Sequence, residues 1–224
     1  MCQIKMILTK YSPFFYKICS VPFEDKYPPE WTNLDNKMVI VDNDICATWK
    51  AMEELVDQNL AKTIGVCNFS TTLLRQLFST SRIKPSTLQI ELHPHNSQTR
   101  LVRFAHEAGM NVTAFSTFGA SSYLELDMAT KEDLLMENPA IVKIASSKNK
   151  SAAQVLIRWA LQRNTFPLTK TSNAGRMKEN RNVFDFELDE DEMKVINELN
   201  KNRRYTDPGD FCEAAFGRFC PIYD

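Results

Sequence analysis

The sequence predicts an α/β protein built on a parallel sheet. Short β-rich runs alternate with segments of helical apolar spacing four times, beginning near Thr63, and that order is the signature of parallel β/α folds. Polar groups also fall at the runs' ends, with Asn68 after one and Gln89 and Glu91 within the next. In β/α folds ligands bind at the C-terminal ends of the strands.

Taken in order, Gln3 to Leu8 is a short strand, and Pro13 and Pro22 exclude a central ladder after it. Pro22 to Trp31 is a proline-fixed loop anchored by Tyr27 and Trp31. Asp44 caps a helix to Asp57 whose core face uses Ala47, Met52 and Leu55. Thr63 to Val66 is a strand, ended by Cys67-Asn68-Phe69. Ser70 caps the helix opening at Thr71, with Leu73, Leu74 and Leu77 on its apolar stripe. Thr87 to Glu91 is the next strand. The loop His93 to Asn96 leads to a helix from about Ser97 to Ala108, and Gly109 supplies a left-handed C-terminal cap. Asn111 to Phe115 is a strand, and Gly119 allows close backbone approach beyond it. Ala120 to Met128 is a loop. Pro139 to Lys148 is helical, and Ser151 with Gln154 forms a capping box for the helix after it. Phe166 to Leu168 is a strand, and a short helix carries Arg176, Glu179 and Asn180. Asp189 and Glu192 form a second capping box. Asn202 to Asp224 is an irregular tail.

With 224 residues the chain suffices for one domain. A hydrophobic fraction of 43% and a formal charge of -1 give no electrostatic reason to expect a nucleic-acid or membrane partner. Six cysteines without a CxxC pair suit a reducing compartment, and no uncharged run approaches the roughly 20 residues of a membrane span. A cytoplasmic location is expected.

No GxGxxG follows a strand and no GxxxxGK[ST] occurs, so neither a Rossmann nor a P-loop reading has a motif. Lys170, Thr171, Ser172 and Arg176 instead form an anion-binding set after the last strand, combining charge, hydroxyl donors and a planar fork. Its location is that of the phosphate site of β/α barrels. The alternative is a solvated basic turn. His93 and His95 lack a zinc pattern with His106 and are expected as two unshifted loop histidines. Cys67 has no histidine assigned to activate it.

These passages together resemble the aldo-keto reductase superfamily, most closely its fungal NAD(P)H-dependent D-xylose reductases. The resemblance lies in VPFEDKYPPEW (21–31), IGVCNF (64–69), IKPSTLQIELHPH (83–95), VTAFSTFG (112–119), SAAQVLIRWALQR (151–163), KTSNAGRMKEN (170–180) and DP (207–208). It implies a partial (β/α)8 TIM barrel, roughly the C-terminal two thirds. Residues 1–224 would be one incomplete NADP-dependent oxidoreductase domain, with 1–21 a divergent segment. It implies NADPH as cofactor, with NADH possible, no metal, and a small carbonyl substrate such as an open-chain aldose.

Carried over by position, Asn68 and Gln89 resemble the pair that holds the nicotinamide carboxamide. Cys67 replaces the family's serine, and Phe115 replaces its nicotinamide-stacking tyrosine. Ser116, Phe118, Ser122 and Glu125 resemble pyrophosphate and belt-loop contacts. Lys170, Thr171, Ser172 and Arg176 resemble the grip on the adenosine 2′-phosphate, and Glu179 and Asn180 the adenine contacts. Trp31 resembles a substrate-pocket aromatic. The family's catalytic aspartate, tyrosine and lysine lie upstream of every matched passage, and Pro13 stands near the position of its histidine. The resemblance therefore implies an N-terminally truncated chain, lacking about 100 residues of the roughly 250 such a barrel uses. No catalytic residue is assigned. Two readings follow: an NADPH-dependent reductase of aldehydes, ketones or aldoses, or an inactive remnant that keeps part of the NADPH site or binds a protein. An open barrel edge would favour self-association.

Overall fold

The computed structural model describes residues 6–8, 44–124, 129–207 and 223, and of residues 6–8 and Ser122 only the backbone. The Pro22 to Trp31 loop, Trp31 itself, Glu125 and most of the tail lie outside the described residues. The chain divides into two compact units, Met1–Leu88 with Thr206–Asp224, and Gln89–Tyr205.

In the first unit, α1 (Ile45–Asp57) begins where Asp44 Oδ1 accepts the N–H groups of Cys46 and Ala47 at 2.8 and 3.1 Å. Its buried face is Trp49, Met52 and Glu53, with Ala47 exposed and Leu55 half-buried. That differs from the expected Ala47–Met52–Leu55 face. A side-chain grip on one loop residue explains the rotation: Trp49 Nε1 donates to the Ile83 carbonyl at 2.8 Å, and Glu53 Oε1 accepts the Ile83 N–H at 2.7 Å. A carboxyl group can be buried there because it is hydrogen-bonded. Next, β2 (Ile64–Cys67) is buried at all four positions. Ser70 caps α2 (Thr71–Thr80), which buries Leu74 and Leu77. Gly65 is required by close approach, since a Cβ there would lie 2.7 Å from the Thr87 carbonyl oxygen at the start of β3 (Thr87–Glu91). The strand expected over Gln3 to Leu8 is β1 (Met6–Leu8), and it runs antiparallel to β2 with Ile7 opposite Gly65. The parallel arrangement was expected of the strands from Thr63 onward, and this antiparallel pair adds an edge strand outside that range.

The second unit takes up the rest of β3 and adds α3 (Thr99–Glu107), β4 (Asn111–Phe115), α4 (Pro139–Lys148), α5 (Ala152–Gln162), β5 (Thr165–Pro167), α6 (Ala174–Arg181) and α7 (Glu190–Asn197). The strands β4 and β5 pair in parallel, Val112 opposite Thr165 and Ala114 opposite Pro167, as strand–helix alternation requires. Of the helices, α5 is buried most deeply, through Gln154, Val155, Leu156, Ile157, Trp159 and Ala160. Gln154 is fully used: its oxygen accepts the Ser151 N–H, and its amide donates to the carbonyls of Glu179 and Asn182 at 3.1 and 2.8 Å. The capping box therefore also fastens α6 to α5. Gly109 has φ +77° behind α3, the expected left-handed cap. Side chains alternate across β4. Val112 and Ala114 are buried, while Thr113 and Phe115 are half-exposed on the face shared with exposed Phe166.

Candidate functional site

Strand ends in both units carry backbone that an ordinary side chain rarely adopts. Asn68 follows β2 with φ +62° and is 8% exposed, beside buried Cys67. Ser116 follows β4 with φ +53°. Left-handed non-glycine residues cost free energy and gather at ligand sites. Ser116 is the residue after Phe115, whose ring is half-buried, and Phe118 is half-buried beyond it. The Ser116 hydroxyl is 3.1 Å from that of Tyr123. Gln89 is half-buried in β3.

The third strand end leads from β5 into α6. Lys170, Ser172 and Arg176 are exposed, while Thr171, Glu179 and Asn180 are partly covered. The turn is organised by its own short polar side chains. Thr171 Oγ1 accepts the Asn173 N–H at 3.1 Å, and Asn173 Oδ1 caps the helix by accepting the Arg176 N–H at 3.0 Å. Asn180 Nδ2 donates to Thr169 Oγ1 at 3.5 Å. Among the described residues, neither Lys170 nor Arg176 forms an ion pair. Two uncompensated cations, two hydroxyls and a helix N-terminus suit a phosphate monoester.

Beyond β3 the second unit buries a polar cluster. Glu91 Oε1 lies 2.8 Å from His93 Nε2 and accepts the Tyr205 N–H at 2.8 Å. His95 Nδ1 lies 3.0 Å from the Tyr205 hydroxyl, and the His95 carbonyl accepts the N–H groups of Lys201 and Arg203. The Tyr205 ring stacks with His93 and Tyr123, at centroid distances of 5.2 and 5.8 Å. The expectation of two unshifted loop histidines fails at His95. Both are buried, and burial, with Lys201 and His93 nearby, lowers His95 from 6.5 to about 4. Burial raises the Tyr205 phenol, and the neighbouring Asp133 carboxylate adds to it. Asp133 lies below its ordinary value: burial acts to raise it, and bonds from Thr130 and the Tyr205 hydroxyl outweigh that. No group of three or more candidate metal ligands occurs among the described residues.

Sequence reading missed Tyr205 and Asp133. A lone aromatic in the charged run NKNRRY was the available sign of an anchor, and Thr130-x-x-Asp133 the sign of a tight turn. The partner separations, 110 residues for His95 and Tyr205, escape any periodicity.

Comparison with known proteins supplies the class. A profile described as the Aldo/keto reductase family matches residues 21–201. The chain is 43% identical over 207 residues to a probable NAD(P)H-dependent D-xylose reductase of Aspergillus clavatus, covering 88% of this chain and 62% of that protein. It is 45% identical over 190 residues to one from Emericella nidulans, covering 84% and 60%. Among solved structures, a Bombyx mori aldo-keto reductase in complex with NADP aligns with a TM-score of 0.70 at 32% identity, covering 80% of this chain and 57% of that one. An aldose reductase from Schistosoma japonicum aligns at 0.68 and 34%, covering 77% and 53%. The chain belongs to the aldo/keto reductase family, and its fold class is the α/β barrel class of that family, represented in part. It spans about three-fifths of the length of these two curated relatives.

Proposed function

We propose that the chain carries the NADPH-binding part of an aldo-keto reductase that reduces aldehydes, ketones or open-chain aldoses such as D-xylose to alcohols. One observation carries the reading: Lys170, Thr171, Ser172 and Arg176 converge on the start of α6 with their charges uncompensated within the described residues. In this reading Lys170 and Arg176 pair with the 2′-phosphate, while Thr171 and Ser172 donate hydroxyls to it. Glu179 and Asn180 hold the adenine edge, and Ser116, Phe118, Ser122 and Glu125 follow the pyrophosphate. Phe115 stacks on the nicotinamide, whose carboxamide is held by Asn68 and Gln89 with Cys67 beside them. Trp31 lines the substrate pocket. The bound nucleotide supplies the hydride. The chain's residues bind it, orient it and discriminate by charge between NADPH and NADH, with NADH a weaker cofactor.

A cytoplasmic location belongs to the same proposal. So does self-association at β5, where Phe166 and Leu168 are 52% and 50% exposed. Sedimentation against concentration tests the latter.

The direct test is titration of NADPH and NADH against the wild type and Arg176→Ala. Loss of a charge-assisted bond to phosphate should weaken NADPH about 10- to 100-fold and NADH little. An equal loss for both rejects the assignment.

A further inference from the structure

We propose that Tyr205 is a positioning residue for Ser116, acting through Tyr123 to present the Ser116 hydroxyl to a dinucleotide phosphate. The ligand in this statement rests on the reading above. The linkage rests on contacts within the second unit alone.

Ser116 needs an external hold. Its φ of +53° is unfavourable for a residue with a Cβ, and its side chain emerges where the chain leaves β4. Among the described residues it is held by the Gly119 N–H on its carbonyl at 2.7 Å and the Tyr123 hydroxyl beside its Oγ at 3.1 Å. The second decides what Ser116 can do. When the Tyr123 O–H donates to Ser116 Oγ, the serine hydrogen is free to point at an anionic oxygen. A tyrosine in that role must itself be fixed. Tyr123 is only half-buried, and its ring stacks on Tyr205 at an interplanar angle of 24°.

Tyr205 is held more tightly than packing requires. It is 2% exposed, stacks with His93 at 29°, and gives its N–H to Glu91. Its hydroxyl lies 3.0 Å from His95 Nδ1, and the Asp133 carboxylate is close enough to raise the phenol. A buried tyrosine ordinarily needs one hydroxyl partner. This one has His95 Nδ1 as partner and the Asp133 carboxylate nearby, on segments either side of Tyr123, and its ring meets the residue that touches Ser116. The order Asp133/His95, Tyr205, Tyr123, Ser116 is thus a continuous set of contacts ending at a strand-end hydroxyl.

The test uses the full chain with NADPH as probe, in Tyr205→Leu, Tyr205→Phe, Ser116→Ala and the Tyr205→Leu/Ser116→Ala double variant. Stopped-flow gives on- and off-rates, and hydrogen exchange of residues 115–124 is measured without cofactor. Tyr205→Leu should raise the NADPH off-rate about fivefold, leave the on-rate unchanged and speed exchange over 115–124. Tyr205→Phe, which keeps the ring, should give about half that effect on a logarithmic scale. The double variant should dissociate no faster than the worse single one, because both remove the same interaction. Independent, multiplying effects would reduce Tyr205 to a general support and overturn the proposal, as would unaltered exchange and off-rate in Tyr205→Leu. Should Tyr205→Leu fail to fold, Tyr123→Phe keeps the stack, removes only the hydroxyl and enters the same double-variant comparison. Failure of the wild type to bind NADPH defeats the dinucleotide reading and this proposal's ligand. Wild-type binding with multiplying effects defeats the Tyr205–Ser116 link alone.

Discussion

The turn into α6 and the cluster beyond β3 use similar side chains to opposite ends. At α6, Lys170 and Arg176 stand in solvent while Asn173 and Thr171 bond only to nearby backbone. Beyond β3, Glu91, His93, His95 and Tyr205 are all at most 2% exposed and bond chiefly to one another and to the segment 201–205. The first region leaves charge for a partner from outside and spends little stability on it. The second uses its polar capacity inside the protein, where an unmade bond is expensive. Polar residues at strand ends are therefore not one class, and substitutions should separate them: the buried cluster through folding, the exposed turn through binding.

The largest effect should come from Glu91. Its Oε1 serves both His93 and the Tyr205 N–H, so Glu91→Leu strands two buried groups at once. A loss of about 3–5 kcal/mol is expected in urea unfolding. Glu91→Gln keeps one acceptor oxygen and should lose about half as much. Wild-type stability in Glu91→Leu would erase the distinction between the regions.

His95 sharpens the contrast through pH. Its folded value is about 4 against 6.5 unfolded, so between those values the unfolded chain binds the extra proton. Stability contributed by neutral His95 is complete above pH 6.5 and is lost as pH falls towards 4, by about 3 kcal/mol across the window. The facing groups are His93, Lys201, Asp133 and Tyr205. Of these, Asp133, held low, loses its own contribution only at still lower pH. Unfolding midpoints from pH 7 to 4 should fall in the wild type and fall less in His95→Gln. Parallel curves would show that burial of His95 is not the cause.

The same contrast explains what could be read in advance. Ser70, Ser151–Gln154 and Asp189–Glu192 declare helix starts by bonds spanning three residues, and all three form. Thr87 to Glu91 and Asn111 to Phe115 are strands within the expected bounds. The anion set at α6 is legible because its parts lie within seven residues. The face of α1 was misread because a grip on Ile83, some 30 residues on, turns Glu53 inward and Ala47 outward. The antiparallel β1 and the Tyr205 cluster depend on contacts across more than 50 residues, for which local spacing carries no signal.

The smallest expected effect lies in the exposed turn, at Asn173. Its Oδ1 accepts the Arg176 N–H at 3.0 Å. Asn173→Ala removes a helix cap, typically worth about 1 kcal/mol, from a helix that buries none of its residues. Global stability should barely register it, because α6 is fastened at its far end by Gln154 on the carbonyls of Glu179 and Asn182. The consequence should appear locally, as faster hydrogen exchange at the first turn of α6. It should also appear as a severalfold weaker hold on NADPH, since Arg176 loses the fixed backbone it projects from. Asn173→Asp keeps the cap but places a negative charge beside the phosphate position, so it should keep exchange slow while weakening NADPH further than alanine does. Equal affinities for the alanine and aspartate variants would mean that no phosphate approaches this turn, and the exposed charges would revert to ordinary solvated surface.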